Sequence, residues 1–185
     1  NFRMNTQVNY ARLQAPFSFL KWIDENREDL KPTVSNKVVF KDSNFIIMVV
    51  GGPNSRTDFH VNQSDEFFYQ LEGSMFLRIV NAQGSFEEIH IQAGEIFMLP
   101  AGVPHSPQRA AHSVGLVIEK TRDEEDLDAL EWYCQACGKK LYQEFFHLKD
   151  IEKDFAAIFN RYYQSNHPQC VCGKLNGKEW SPLLY

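Results

Sequence analysis

The chain has 185 residues, 43% hydrophobic and 14% aromatic with 15 phenylalanines, which is material for one folded domain and excludes a disordered chain. A formal net charge of −5 supplies no basic field, so nucleic acid is not an expected partner. No apolar run approaches the roughly 20 residues of a membrane-spanning helix, and "NFRMNTQVNYARLQAPF" lacks the apolar stretch of a secretory signal. The expectation is a soluble, cytoplasmic protein with no membrane partner.

In chain order, "FSFLKWIDENREDLK" sets Phe19, Leu20, Ile23 and Leu30 at helical spacing and predicts a short N-terminal helix. From about residue 36 the character changes. "NKVVF", "NFIIMVV", "DEFFYQL", "SMFLRIV", "FEEIHI", "EIFMLP" and "SVGLVIEK" read as short strands, separated by turn signals such as "GGPN", "EGS", "NAQG" and "PAGVP". Many short strands without intervening helices predict an all-β-dominated antiparallel sandwich or barrel, with its core over about 34–120. Several runs are apolar on both faces, as a filled barrel or a helix-covered sheet requires.

After Glu119, "TRDEEDLDALE" reads as a solvated acidic connector. "DIEKDFAAIFNRYYQ" then places Ile151, Phe155, Ile158, Phe159 and Tyr162 on one helical face, with Asp150 as the expected N-cap. All four cysteines fall in two tight pairs, Cys134 with Cys137 and Cys170 with Cys172. Without a secretion signal, such pairs favour a metal site over disulfides. The segment from about 130 to 185 is therefore expected to be a metal-binding appendage packed on the barrel, within a single domain spanning 1–185.

One constellation stands out. Side chains two apart in an extended segment share a face, so Arg56, Asp58 and His60 of "RTDFH" can enter one cavity. Glu66 opens the next run and can return beside His60. His105 sits in "LPAGVPHSPQR", read as a rigid loop. Each alone is more often a structural or surface group, and His90, His112, His147 and His167 stay in that category. Together, two neutral imidazoles and a carboxylate with open coordination positions suit Fe(II) better than zinc, which prefers four tetrahedral ligands.

Read along the chain, these residues resemble the cupin superfamily. "HVNQSDEFFYQLEG" fits that family's H-x-H-x3-E-x6-G motif at His60, Glu66 and Gly73, with Asn62 in place of the second histidine. "GEIFMLPAGVPHSPQR" fits G-x5-P-x-G-x2-H-x3-N at Gly94, Pro100, Gly102 and His105, with Arg109 in place of asparagine. The resemblance implies a double-stranded β-helix, jelly-roll-like, holding iron with a two-histidine, one-carboxylate set. Arg109 and Arg56 then place two cations in the cavity of an acidic protein, which points to an anionic substrate gripped by guanidinium forks. The bland alternative for each arginine is an ion pair, for Arg56 with Asp58. In "SVGLVIEK", Ser113, Gly115, Val117 and Glu119 share a face, so Glu119 is either a cavity base or a group at the strand's end in water.

"VGGPNSRTDFH", "LPAGVPHSPQR", "LVIEK" and "EWYCQAC" together resemble the 3-hydroxyanthranilate 3,4-dioxygenase family, from roughly Phe17 to the tail. That resemblance implies ring-opening of 3-hydroxyanthranilate by O2 to 2-amino-3-carboxymuconate semialdehyde, in tryptophan breakdown and quinolinate formation for NAD. It implies Fe2+ on His60, Glu66 and His105, substrate contacts from Arg56, Arg109 and Glu119, Asn36 on a mobile loop at the pocket mouth, and a homodimer. It also implies a rubredoxin-like Fe or Zn site at Cys134, Cys137, Cys170 and Cys172, structural in role. There the second pair departs from the usual Cys-x-x-Cys, and His167 stands near enough to be considered as a substitute ligand. The alternatives are another metal-dependent cupin acting on a small anion, an aromatic-acid dioxygenase or sugar isomerase, or a cupin that only binds an acid.

Overall fold

The computed structural model describes residues 10–32, 35–149 and 151–180, so the expected N-cap at Asp150 lies outside the described residues. Eleven strands and two α-helices follow in chain order: α1 (Phe19–Glu25), β1 (Asn36–Val38), β2 (Phe45–Gly51), β3 (Asp58–Val61), β4 (Glu66–Glu72), β5 (Ser74–Val80), β6 (Phe86–Gln92), β7 (Ile96–Leu99), β8 (His105–Arg109), β9 (Val114–Lys120), β10 (Asp128–Tyr133), β11 (Lys140–Phe146) and α2 (Ile151–Tyr163). One antiparallel sheet runs β1-β2-β9-β4-β7 and the other β11-β10-β3-β8-β5-β6. From β2 to β9 the chain passes back and forth between the two sheets, so β2 meets β9 and β3 meets β8 across long sequence separations. This is the jelly-roll order of the cupin double-stranded β-helix, as expected.

The alternation of side chains explains why the strands are apolar on both faces. Met48, Phe68 and Val117 of the first sheet meet Met75, Leu77 and Ile91 of the second between the layers. Val49 and Val114 point the other way and are buried under Ile23 and Leu30. Ile23, 1% exposed, plugs the N-terminal segment onto the sheet; truncating such a residue to alanine costs about 2–5 kcal/mol.

The predicted N-terminal helix is shorter than its hydrophobic spacing allows. Ser18 caps its start, accepting from the Lys21 N–H at 3.3 Å. Asn26 ends it by donating its side-chain amide to the Trp22 carbonyl at 2.6 Å, and a 3-10 turn, Arg27–Leu30, follows. Leu20 is 66% exposed and does not join the buried stripe, contrary to the spacing.

Other differences lie nearer the cavity. "HSPQR" is a strand, β8, not a loop, and its first residue pairs with His60 in register. Asn36 belongs to β1, opposite Val50, rather than to a mobile loop. β10 and β11 extend the second sheet; β10 pairs with β3 and is buried along its whole length. α2 covers it with Phe155, Ile158 and Tyr162 against Leu130 and Trp132, and the Trp132 and Tyr162 rings stack at 4.3 Å. Among the described residues no helix is long and apolar enough to cross a membrane.

Candidate active site

The register of two strand pairs brings the expected ligands together. His60 on β3 faces His105 on β8, and Glu66 opens β4 opposite Glu119 on β9. All three of His60, Glu66 and His105 are buried, and one ligand atom from each lies within 4.8 Å of the others.

Hydrogen bonds behind the rings settle which nitrogen each histidine offers. Asp128 reaches Nε2 of His60 at 2.5 Å. An ionised carboxylate only accepts, so Nε2 carries a proton, which in the neutral ring leaves the lone pair on Nδ1. His105 is the opposite tautomer: its Nδ1 donates to the Val103 carbonyl at 3.0 Å, leaving the lone pair on Nε2. That Nε2 stands 3.0 Å from Oε2 of Glu66. Two acceptors so close need a cation between them or a proton. Burial works against both charges, yet His105 holds the Glu66 carboxyl below its usual range and Glu66 holds the His105 imidazole above its own. A divalent metal can take that proton's place, and the neutral imidazoles plus carboxylate are a donor set suited to it.

The centre opens on a cavity of about 230 Å³ lined on its apolar side by Met48, Val50, Phe68, Pro107, Val117 and Phe155. An apolar cavity of roughly 150 Å³ holds benzene, so this one accepts a single substituted ring. Its polar wall is formed by Arg56, Arg109, Glu119, Asn36 and Asn54.

The two arginines differ. Arg56 precedes β3 and is tied to Asp58, with Nε 3.0 Å from Oδ1 and Nη2 also on Oδ2; its guanidinium lies 5.3 Å from the Phe155 ring centre. The ion pair to Asp58 is thus formed, while Arg56 still lines the cavity. Arg109 is 5% exposed, and its Nε and Nη1 have no hydrogen-bond partner among the described residues. Burial pushes its pKa down to about 10, so it remains charged at neutral pH and an anion in the cavity would satisfy it. Gly115 makes room for it: a Cβ there would lie 2.8 Å from Arg109 Nη1 and 2.8 Å from Gln70 Oε1.

Glu119 is 2% exposed and faces the cavity, not water. Burial, then the neighbouring Glu66 carboxylate, raises its pKa above the ordinary carboxyl value against the pull of Arg122. Asn62, where the cupin motif has a second histidine, donates to Oε2 of Glu66 and Oε2 of Glu119, each at 3.3 Å.

Two residues of the supposed solvated connector belong to this site. Arg122, with its side chain 8% exposed, reaches Glu119 Oε2 at 2.7 Å and Asp128 Oδ2 at 2.6 Å. Against the burial that would raise it, Arg122 and His60 hold the Asp128 carboxyl down at about 2. The acidic run is therefore solvated only in its middle. The available signals were a lone arginine in an acidic run just after a buried strand and the alternation in "LDALEWY". Phe155 of α2 also enters the cavity, its ring 5.4 Å from that of His60.

The cysteines meet away from this cavity. Sγ of Cys134 is 3.6 Å from that of Cys172, and Sγ of Cys137 is 3.7 Å from that of Cys170. All four ligand atoms lie within 4.8 Å of one another and no disulfide forms. Four thiolates about 2.3 Å from a tetrahedral ion sit ~3.8 Å apart, so the spacing fits a metal despite the shorter Cys-x-Cys. Each pair turns on a left-handed glycine, Gly138 (φ 73°) or Gly173 (φ 92°), which lets the next residues hydrogen-bond back to Cys134 and Cys170. His167 is not in the cluster; its ring packs on Tyr142 at 4.7 Å.

Comparison with known proteins finds relatives over most of the chain. A 3-hydroxyanthranilate 3,4-dioxygenase of Xanthomonas euvesicatoria pv. vesicatoria is 53% identical over 150 residues, covering 81% of this chain and 84% of that protein. One of Bacillus cereus is 50% identical over 165 residues, covering 88% and 92%. A solved cupin-2 domain protein of Shewanella frigidimarina is 20% identical, with a TM-score of 0.45, covering 53% of this chain and 91% of that one. The sequence model of the 3-hydroxyanthranilic acid dioxygenases matches residues 13–163, a span that holds every residue of the barrel site, and the chain belongs to that family.

Proposed function

We propose that the protein opens the ring of 3-hydroxyanthranilate with O2, giving 2-amino-3-carboxymuconate semialdehyde on the route from tryptophan to quinolinate, at one Fe2+ held by His60, Glu66 and His105. The observation that carries this reading is the unpaired guanidinium of Arg109 buried in the same cavity as the two histidines and the carboxylate. A carboxylate on a ligand of single-ring size would satisfy it. Bound by this donor set, ferrous iron supplies the electron path between an electron-rich ring and dioxygen.

The chain's own residues do the rest. Arg109 grips the substrate carboxylate, and Arg56, held still by Asp58, assists at the same end. Glu119, with its raised pKa, takes the proton of the ring hydroxyl. Asn36 closes the mouth, while Met48, Phe68, Val117 and Phe155 exclude water and hold the ring by its faces. Cys134, Cys137, Cys170 and Cys172 hold a second ion, Fe or Zn, with a structural role. The working unit is a homodimer, a reading that rests on the family.

Oxygen uptake with 3-hydroxyanthranilate after anaerobic Fe(II) loading tests the proposal. Uptake with loss of the aromatic absorbance is expected; no turnover at full iron occupancy refutes it.

A further inference from the structure

Behind the ligand set lies a continuous buried chain of charges, Glu119, Arg122, Asp128 and His60. Arg122 follows the end of β9 and Asp128 begins β10. β10 pairs with β3 so that Leu130 faces His60, and Asp128, two residues earlier, shares that face. The Arg122 guanidinium uses its whole fork: Nε on Asp128 Oδ1 at 2.9 Å, Nη2 on Asp128 Oδ2 at 2.6 Å, and Nη1 on Glu119 Oε2 at 2.7 Å and the Lys120 carbonyl at 2.9 Å. Asp128 spends the remaining capacity of Oδ2 on Nε2 of His60 at 2.5 Å.

We infer that Arg122 and Asp128 are positioning residues: Asp128 fixes the tautomer and aim of the metal-ligating His60, and Arg122 ties it to the cavity carboxylate Glu119. The inference rests on the function proposed above. A buried ion pair used only to join two strands is a poor device, because desolvating both charges costs about what their attraction returns. Here each end of the pair instead lands on a cavity group. The carboxylate makes Nε2 of His60 a donor, so only Nδ1 has a lone pair to offer, and the ring cannot turn without breaking a bond 2.5 Å long. At the other end, Glu119 sits opposite Glu66, and the guanidinium keeps two facing carboxylates from pushing apart. Lysine carries the same charge but has no planar fork to span both carboxylates.

The test is Mn(II) titration followed by electron paramagnetic resonance, with steady-state kinetics on the iron-loaded enzyme. Mn(II) prefers imidazole and carboxylate to thiolate, so it reports the barrel site and not the cysteines. Asp128→Asn is expected to weaken Mn(II) binding about 10- to 100-fold. Arg122→Lys is expected to lower kcat while KM for 3-hydroxyanthranilate stays within about twofold, since Arg109 is untouched. If Asp128→Asn does not fold, the double variant Arg122→Gln/Asp128→Asn removes both charges of the Arg122–Asp128 pair and must show the same loss of Mn(II) affinity. Variants that melt earlier but bind Mn(II) within about twofold of the native protein, with kcat of the folded fraction unchanged, overturn the inference and leave only a structural ion pair. Native protein that binds no Mn(II) overturns the barrel metal reading itself, which is a separate outcome.

Discussion

Glu66 and Glu119 stand directly opposite each other in the β4–β9 ladder, both buried, with the Asn62 amide 3.3 Å from an oxygen of each. Facing carboxylates on a sheet repel. They are tolerated here because His105 and Arg122 each take one of them, at 3.0 and 2.7 Å. Asn62 is thus a bridge between the proposed metal ligand Glu66 and the proposed proton acceptor Glu119, at the position where the cupin motif carries another imidazole.

Asn62→His restores that imidazole and removes the bridge. The expected outcome is tighter retention of the barrel metal with turnover lowered by about tenfold or more, because a coordination position needed by substrate or oxygen is filled. Metal content after dialysis and oxygen uptake measure the two effects.

Arg109→Gln removes a cation whose Nε and Nη1 lack partners among the described residues. A charge-assisted hydrogen bond contributes about 1.5–3 kcal/mol, so KM for 3-hydroxyanthranilate should rise roughly 10- to 100-fold. Arg109→Lys should not restore it. 2-Aminophenol, which has no carboxylate, should discriminate little between native enzyme and variant; an equal loss with both compounds would show that Arg109 acts elsewhere.

Gly115→Ala introduces a Cβ 2.8 Å from Arg109 Nη1 and from Gln70 Oε1, the far ends of two flexible side chains. Arg109 should shift while the strand holds. KM is expected to rise with the melting temperature nearly unchanged; a large loss of thermal stability with native KM would place the strain in the sheet instead.

Glu66→Ala should abolish metal at the barrel and leave the cysteine-bound ion in place, because the two ligand groups share no residue. Metal analysis per chain distinguishes the sites, and loss of both ions would show that one has been misassigned.

Much of the site was legible in sequence because its information is local. The spacing from His60 to Glu66 and the rigid approach to His105 need only strand geometry and turn residues, and parity put Ser113, Gly115, Val117 and Glu119 on one face, which the structure turns inward. Val49 behind Met48 likewise shows in the chain as a run apolar on both faces, which is what a sheet covered by a helix requires.

The difference between the two arginines was not legible. Both carry the same charge, and only the fold shows that Asp58 occupies Arg56 while burial leaves Arg109 partly unpaired. Nor was the role of "TRDEEDLDALE", whose composition is that of a solvated surface. The sequence by itself determined seven of the strands, β1, β2, β4 to β7 and β9, together with the candidate ligand residues and the cysteine pairs. Tertiary structure decided that Arg122 folds under Glu119 and that Asp128 reaches His60, 68 positions away. The physical reason is register: which charge is buried against which depends on how β10 pairs with β3, and a pairing between distant strands leaves no periodic trace in either one.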